Sequence, residues 1–134
     1  MPEATTLWAD DTSQRVVKLT REPSPQVIGL LERTVWGGRG LLYRIRGIDA
    51  KLRRLSDPHV FSIEEEGRLA AVCILNRKTV QVLGAEYDAF HFVMVATDDS
   101  ERGKGLASLL GAHIRRFCED ALGYSLRQDQ HERI

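Results

Sequence analysis

The sequence has few cysteines and no long apolar run, which argues against a disulfide-rich protein and against a membrane-spanning protein. Its two cysteines, Cys73 and Cys118, lie within apolar segments, so we expect buried thiols in a reducing compartment rather than a disulfide framework. No apolar stretch approaches the roughly eighteen residues that span a membrane. The acidic start MPEATTLWADD lacks the basic and apolar regions of a secretory signal. We therefore expect a cytoplasmic protein without a membrane segment.

The chain also lacks an excess of either charge. Nineteen Lys and Arg residues balance nineteen Asp and Glu residues, for a formal net charge of +0. A chain without net charge exerts no long-range electrostatic attraction on nucleic acid or on an anionic membrane, so we expect neither as a partner. An anionic ligand would have to be bound by a local site. His59, His113 and His131 have no partner at metal-ligand spacing, and the cysteines form no Cys-x-x-Cys pair. We therefore expect no metal.

The hydrophobic pattern predicts one domain that combines helices with a sheet. The 134 residues contain no internal repeat and no long linker. Alternation and helical periodicity predict the order β-α-α-β-β-β-α, with elements at about residues 15–19, 27–35, 41–55, 60–64, 68–75, 89–97 and 103–122. A further strand at about residues 80–83 stays open. The strand at 89–97 is apolar on both faces, which favours a central position in the sheet.

The segment between the last predicted strand and the last predicted helix favours an anion site. It reads TDDSERGKGLAS, with Gly103 and Gly105 next to the predicted helix start. Backbone N–H groups are unpaired at a helix N-terminus, and glycine lets a bulky anion approach them. Arg102 and Lys104 add mobile positive charge. The alternative is a plain strand-to-helix connection that needs glycine for its geometry, because a Gly-x-Gly pair alone is a weak signal.

Two other phosphate motifs fail on spacing. A nucleotide P-loop has Ser or Thr after its lysine, but Lys104 is followed by Gly105. A dinucleotide fingerprint needs a third glycine where this chain has Ser108, and a second strand after the helix, for which little sequence is left. Neither a P-loop nor a dinucleotide site is therefore expected.

The same stretch resembles the acetyl-coenzyme A loop of the GNAT acyltransferases. The family pattern is Arg or Gln, two residues, Gly, one residue, then Gly or Ala, and the residues from Arg102 to Ala107 match it completely. The upstream order of elements is also similar. The resemblance covers about residues 15–126, and it leaves residues 1–14 as an N-terminal extension and 127–134 as a polar tail. It implies an α/β (α+β) fold, with a mainly antiparallel central sheet flanked by helices.

The resemblance implies an N-acyltransferase that moves an acetyl group directly from acetyl-coenzyme A to a primary amine of a small molecule or peptide. Backbone amides of the loop would hold the pyrophosphate, and main-chain groups of the preceding strand would pair with the pantetheine arm. The same strand would aim one amide at the thioester carbonyl. The implied cofactor-binding residues are Val95, Ala96, Thr97, Arg102, Gly103, Lys104, Gly105, Leu106 and Ala107.

The catalytic base is harder to place. His91 lies six positions before Thr97, near where some family members carry a catalytic glutamate, and imidazole exchanges protons near neutral pH. Glu86 is the second candidate, and Tyr87 and Asp88 are further alternatives. The competing interpretation of His91 is a hydrogen-bonded core histidine.

The chain departs from the family pattern after Gly123. A complete GNAT domain continues with a fifth strand, a helix that carries an acid tyrosine, and closing strands, whereas here only residues 124–126 resemble the start of a strand. Tyr124 lies too near the loop for that role. Three interpretations stay open: a fragment, a partner that supplies the missing strands, or an acyl-coenzyme A binding or assembly module without catalysis. An unpaired strand edge recruits other strands, so we expect a homodimer or strand-swapped assembly. The basic residues of the second helix either border an acceptor site or form a solvated face.

Overall fold

The computed structural model describes residues 4–12, 14–34, 48 and 50–123. Five strands and three α-helices occupy this part of the chain, with a 3₁₀ turn at Asp99–Glu101. The strands are β1 Thr5–Ala9, β2 Arg15–Thr20, β3 Pro58–Glu65, β4 Arg68–Val82 and β5 Ala85–Thr97, and the helices are α1 Pro25–Thr34, α2 Ala50–Arg53 and α3 Leu106–Leu122.

The strands form one antiparallel sheet in the order β1-β2-β3-β4-β5. Each strand pairs with its neighbour in sequence. The connections β1–β2, β3–β4 and β4–β5 are short, which permits only antiparallel pairing, whereas residues 21–57 with α1 and α2 connect β2 to β3. The predicted α+β fold, with a mainly antiparallel sheet flanked by helices, is confirmed. The structure adds β1 within residues 1–14, the segment that we had predicted to be an extension, where it pairs with β2.

Helices cover the sheet on both faces, so it has two apolar cores. On one face α3 packs through Leu106, Leu110 and Ile114 against residues of β3 and β4, including Phe61. On the other face α1 packs through Leu30 and Leu31. Because both faces of β3 and β4 are covered, their middle residues are apolar almost without interruption, as in other sheets covered on two sides. The predicted last helix is confirmed, and its C-cap is Gly123.

Strand β5 is the last strand of the described sheet, so the prediction of a central strand covered on both faces is wrong for this part of the chain. Its apolar residues Phe92 and Val95 are 60% and 52% exposed. The open prediction at residues 80–83 is resolved, because residues 80–82 end β4 and Leu83 and Gly84 form the turn to β5. Strand β4 extends past its last pair with β3. There, residues 77–82 of β4 and 85–90 of β5 pair only with each other in the described sheet.

The second predicted helix falls mostly outside the described residues. Its described end is α2, in which Leu52 is buried. Residues 35–47 and 49 lie outside the description, and with them Arg44 and Arg46, two of the basic residues of the second predicted helix. The predicted start of a fifth strand at residues 124–126 and the polar tail also lie outside it.

His59 is a buried histidine in an aromatic cluster beneath α3. It is 4% exposed, and its ring centroid lies 5.2 Å from that of Phe90 and 5.6 Å from that of Phe117. Its Nδ1 donates to the carbonyl oxygen of Asp57 at 3.1 Å. Burial lowers the pKa of His59 from 6.5 to about 4, with a smaller effect of the nearby Arg21 and Arg77 charges. The folded protein therefore holds this imidazole neutral.

This burial predicts a loss of stability in weak acid. Between pH 6.5 and about 4 the unfolded chain binds a proton at His59 that the folded chain excludes, so the free energy of unfolding falls as pH falls through this window. The gap between the two pKa values corresponds to about 3 kcal/mol. The free energy of unfolding, measured with denaturant near neutral pH and at about pH 4, tests this prediction in wild type and in His59→Gln. Equal losses in both proteins would contradict the assignment.

Candidate functional site

The connection between β5 and α3 is held at its start by Asp98. The Asp98 amide donates to the carbonyl oxygen of Ala70 at 2.8 Å. Its carboxylate accepts from the Ser100 amide at 3.0 Å and from Arg33 of α1 at 3.1 Å. The hydrogen bond from the Ser100 amide is the main reason that the pKa of Asp98 is held below its ordinary value. The connection is thus fixed to β4 and to α1 before the glycines begin.

The two loop glycines adopt backbone conformations that other residues rarely adopt. Gly103 has φ 84° and Gly105 has φ 74°, in the left-handed region where a Cβ is strained. Gly105 is the N-cap of α3, and it has no side chain that could cap the helix. Its carbonyl oxygen accepts the first helical hydrogen bond, from the amide of Leu109 at 3.1 Å. A Cβ added at either glycine meets nothing within 4 Å. The helix start therefore faces open space.

That open space is a pocket of about 520 Å³ at the junction of β5, the loop and the first turn of α3. Eight of the nine residues predicted to bind the cofactor line it, and Lys104 does not. The lining residues are Thr34, Val95, Ala96, Thr97, Glu101, Arg102, Gly103, Gly105, Leu106, Ala107 and Ser108. The fold thus brings the predicted strand segment and the predicted loop to one concave surface.

This arrangement agrees with a comparison of the sequence with known families. A sequence model of the acetyltransferase (GNAT) family matches residues 15–131. The chain belongs to the GNAT acetyltransferase family. The match begins at the first residue of β2, so β1 precedes it. No curated protein and no solved structure matches the chain significantly. Family membership supports an acyltransferase type of activity.

In this GNAT domain, both cations of the loop are paired with carboxylates, contrary to our expectation of mobile charges. Lys104 Nζ lies 2.6 Å from Oε2 of Glu101, and Arg102 Nε lies 3.1 Å from Oδ1 of Asp99. Glu101 is 4% exposed and also contacts Arg68 at 3.3 Å. The hydrogen bond with Lys104 holds the pKa of Glu101 below its ordinary value and raises that of Lys104.

The two predicted catalytic residues lie on β5 of the GNAT domain but outside the pocket. His91 pairs in register with Asn76 and is exposed, so it is not the core histidine of the competing interpretation. Glu86 pairs with Gln81 near the turn of the β4–β5 hairpin. At about 3.4 Å per residue, the Cα atom of His91 lies about 20 Å from that of Thr97, and the Cα atom of Glu86 lies about 37 Å from it.

Three residues that line the pocket were not predicted from the sequence: Thr34, Glu101 and Ser108. Thr34 ends α1, where its hydroxyl donates to the carbonyl of Leu30 at 2.7 Å, and only the packing of α1 on the sheet brings it near the loop. Ser108 was detectable, because it lies within the first turn of a helix that we had predicted. Glu101 precedes the family motif by one position, so the motif itself carries no information about it.

Other chemistries find little support in the described residues. Within them, no group of three or more His, Cys, Asp or Glu side chains is placed to hold a metal ion. No described helix is long and apolar enough to cross a membrane. Cys73 and Cys118 are buried, as predicted. Burial raises the pKa of Cys73 to about 12 and that of Cys118 to about 11, so both remain thiols at neutral pH.

Proposed function

We propose that this protein is an acetyl-coenzyme A-dependent N-acyltransferase that transfers an acetyl group directly to a primary amine. The pocket at the start of α3 carries this proposal, because it joins an uncapped helix N-terminus, two glycines with positive φ and the end of β5. Backbone N–H groups at the start of a helix attract anions through hydrogen bonds and through the helix dipole. The pyrophosphate of coenzyme A would bind there.

The length of the pantetheine arm then locates the reacting carbon. The arm is about as long as four to five extended residues, roughly 15 Å. The pocket continues from the loop onto Thr97, Ala96 and Val95, so an arm that follows β5 from Thr97 ends near Val93. The register of β5 with β4 shifts at this point, since Ile74 pairs with Met94 but Leu75 pairs with Phe92.

The register shift supports a role for the backbone near Val93. An extra residue in a strand leaves its backbone groups outside the regular ladder and bends the strand, and such bulges are common beside active sites. An amide that faces the thioester there would stabilise the charge that develops on the carbonyl oxygen, by about 3 kcal/mol for one donor. A bond forms from the amine nitrogen to the acetyl carbon, the carbon–sulfur bond breaks, and coenzyme A leaves as the thiol after a proton is transferred.

His91 is the candidate base that this geometry favours. It lies two residues from Val93 on the same strand, whereas Glu86 lies seven residues from Val93, about 24 Å away. An imidazole removes a proton from an ammonium group efficiently when it lies within hydrogen-bond reach, directly or through one water. Glu86 lies too far along the hairpin for this.

A second function is favoured by one observation: neither His91 nor Glu86 lines the pocket. The alternative is a non-catalytic acyl-coenzyme A binding or assembly module. Acetyl-coenzyme A is expected to raise the thermal unfolding temperature under both proposals. Free thiol released from acetyl-coenzyme A, in proportion to added amine from a panel of small molecules and peptides, is expected only from the enzyme. No thermal shift would refute both functions, and a shift without thiol release would favour the module.

We also propose a cytoplasmic homodimer or strand-swapped assembly. The described sheet ends at β5, where Phe92 and Val95 are exposed beside the strand edge, and such edges pair readily with other strands. The buried thiols are compatible with a reducing compartment. Light scattering is expected to give twice the monomer mass, and a monomer at high concentration would refute the assembly.

A further inference from the structure

The pocket contains a feature that opposes the binding of an anion. Glu101 lines the pocket and is 4% exposed, so it forms part of the wall of the space where the diphosphate would bind. A carboxylate in the wall of a site repels a neighbouring anion unless its charge is balanced. The site therefore needs a means of neutralising Glu101.

Two cations supply this neutralisation, one at each carboxylate oxygen. Lys104 Nζ lies 2.6 Å from Oε2, and Arg68 Nη2 lies 3.3 Å from Oε1. Neither Lys104 nor Arg68 is among the described residues that line the pocket. Both cations therefore contact the pocket wall through Glu101.

The same contacts also join the loop to itself and to the sheet. The Glu101 amide donates to the carbonyl of Asp98 at 2.9 Å, which fixes Glu101 at the end of the 3₁₀ turn. Its side chain then reaches forward to Lys104, across Gly103, whose φ is 84°. The ion pair thus connects the residues on the two sides of Gly103, and the link to Arg68 attaches the loop to β4.

We propose that Glu101 is a repulsive charge in the wall of the anion pocket, and that Lys104 assists the bound diphosphate by neutralising Glu101 rather than by contacting the phosphates. This inference rests on the proposed function. It reverses the usual expectation for a lysine between two loop glycines. Removing Lys104 leaves Glu101 with only the longer contact to the exposed Arg68, which balances its charge less well beside the ligand, and removing Glu101 as well eliminates the repulsion.

A double-mutant cycle tests this assignment, with coenzyme A as the probe and calorimetric titration at neutral pH as the measurement. The variants are Lys104→Met, Arg68→Met, Glu101→Gln, and each cation variant combined with Glu101→Gln. Arg115→Met is the matched control, because it also removes one positive charge from an ion pair, with Glu119, but lies about 15 Å along α3 from the loop. Thermal unfolding without ligand establishes that each variant folds, and Lys104→Gln replaces Lys104→Met if the latter does not.

We expect Lys104→Met to weaken binding about tenfold and Arg68→Met to weaken it by a smaller factor. Both double variants should bind coenzyme A with an affinity within about threefold of that of wild type. Glu101→Gln alone should bind no more weakly than wild type. Arg115→Met should leave the affinity within about twofold.

Three results would overturn the inference. A Lys104→Met, Glu101→Gln double variant as weak as Lys104→Met would show that the lysine contacts phosphate directly. A Glu101→Gln variant weaker than wild type, with a double variant weaker still, would show that the ion pair only maintains the fold. A Lys104→Met variant with wild-type affinity would show no role at all. If wild type itself binds no coenzyme A, the proposed function fails, which is distinct from a failure of the cycle in a protein that binds.

Discussion

Replacement of Gly105 by valine is expected to weaken coenzyme A binding at least about 100-fold. The residue caps α3 with φ 74° and borders the pocket. A β-branched side chain disfavours this conformation, so the helix start must rearrange, and its methyl groups would occupy the space in front of the helix N–H groups. Loss of two charge-assisted hydrogen bonds to phosphate costs about 3 kcal/mol, which gives this factor. Titration with coenzyme A measures the change.

Gly123 provides a matched control for this substitution. It caps the other end of α3 with φ 76°, and a Cβ there also meets nothing within 4 Å. Gly123→Val therefore carries a similar backbone strain, of about 1 to 3 kcal/mol in stability, but lies far from the pocket. Equal loss of affinity in both variants would mean that general destabilisation is the cause. Normal affinity in Gly105→Val would remove the basis for an anion site at this helix.

The loop and the last helix could be predicted because their signals are local. The positive φ of Gly103 and Gly105 and the apolar stripe from Leu106 to Cys118 depend on residues within a few positions of each other. The position of the pocket followed from these signals, because a strand that leads into a helix carries its last residues to the helix N-terminus.

Features that depend on distant partners were not predictable in the same way. Strand β1 is only five residues long. Its Leu7 and Trp8 pack against the core under α3, a helix that lies about a hundred residues later in the sequence. The edge position of β5 depends on which strands pair, and its apolar residues Phe92 and Val95 resemble those of a covered strand until the sheet is assembled.

The pairing of Lys104 shows the same limit within the site itself. The motif predicts a cation near the ligand, and charge spacing alone does not distinguish a lysine that faces the pocket from one that faces Glu101. Arg68 approaches Glu101 from β4, thirty-three positions earlier. The motif therefore predicted residues that border the pocket, but the electrostatic role of these residues depends on tertiary contacts.

Replacement of His91 by alanine is expected to lower kcat about 100-fold or more if the protein is an N-acyltransferase. This is the usual contribution of a general base, since the amine must lose a proton as it attacks. The KM for acetyl-coenzyme A should change little, because His91 lies outside the pocket. Glu86→Gln should retain activity, since it lies far beyond the reach of the arm. Thiol release from acetyl-coenzyme A with a saturating amine measures both variants.

His113→Ala is a suitable control for His91→Ala, because His113 lies on α3 with its ring centroid 6.0 Å from that of Trp8, away from β5. Added imidazole should restore part of the His91→Ala rate, because a small base can enter the exposed position of the missing side chain, whereas a merely structural defect would not respond. A large loss in Glu86→Gln with none in His91→Ala would place the reacting carbon near the tip of the hairpin. An arm that starts at the α3 N-terminus does not extend that far, so the same result would also require a different site for the diphosphate.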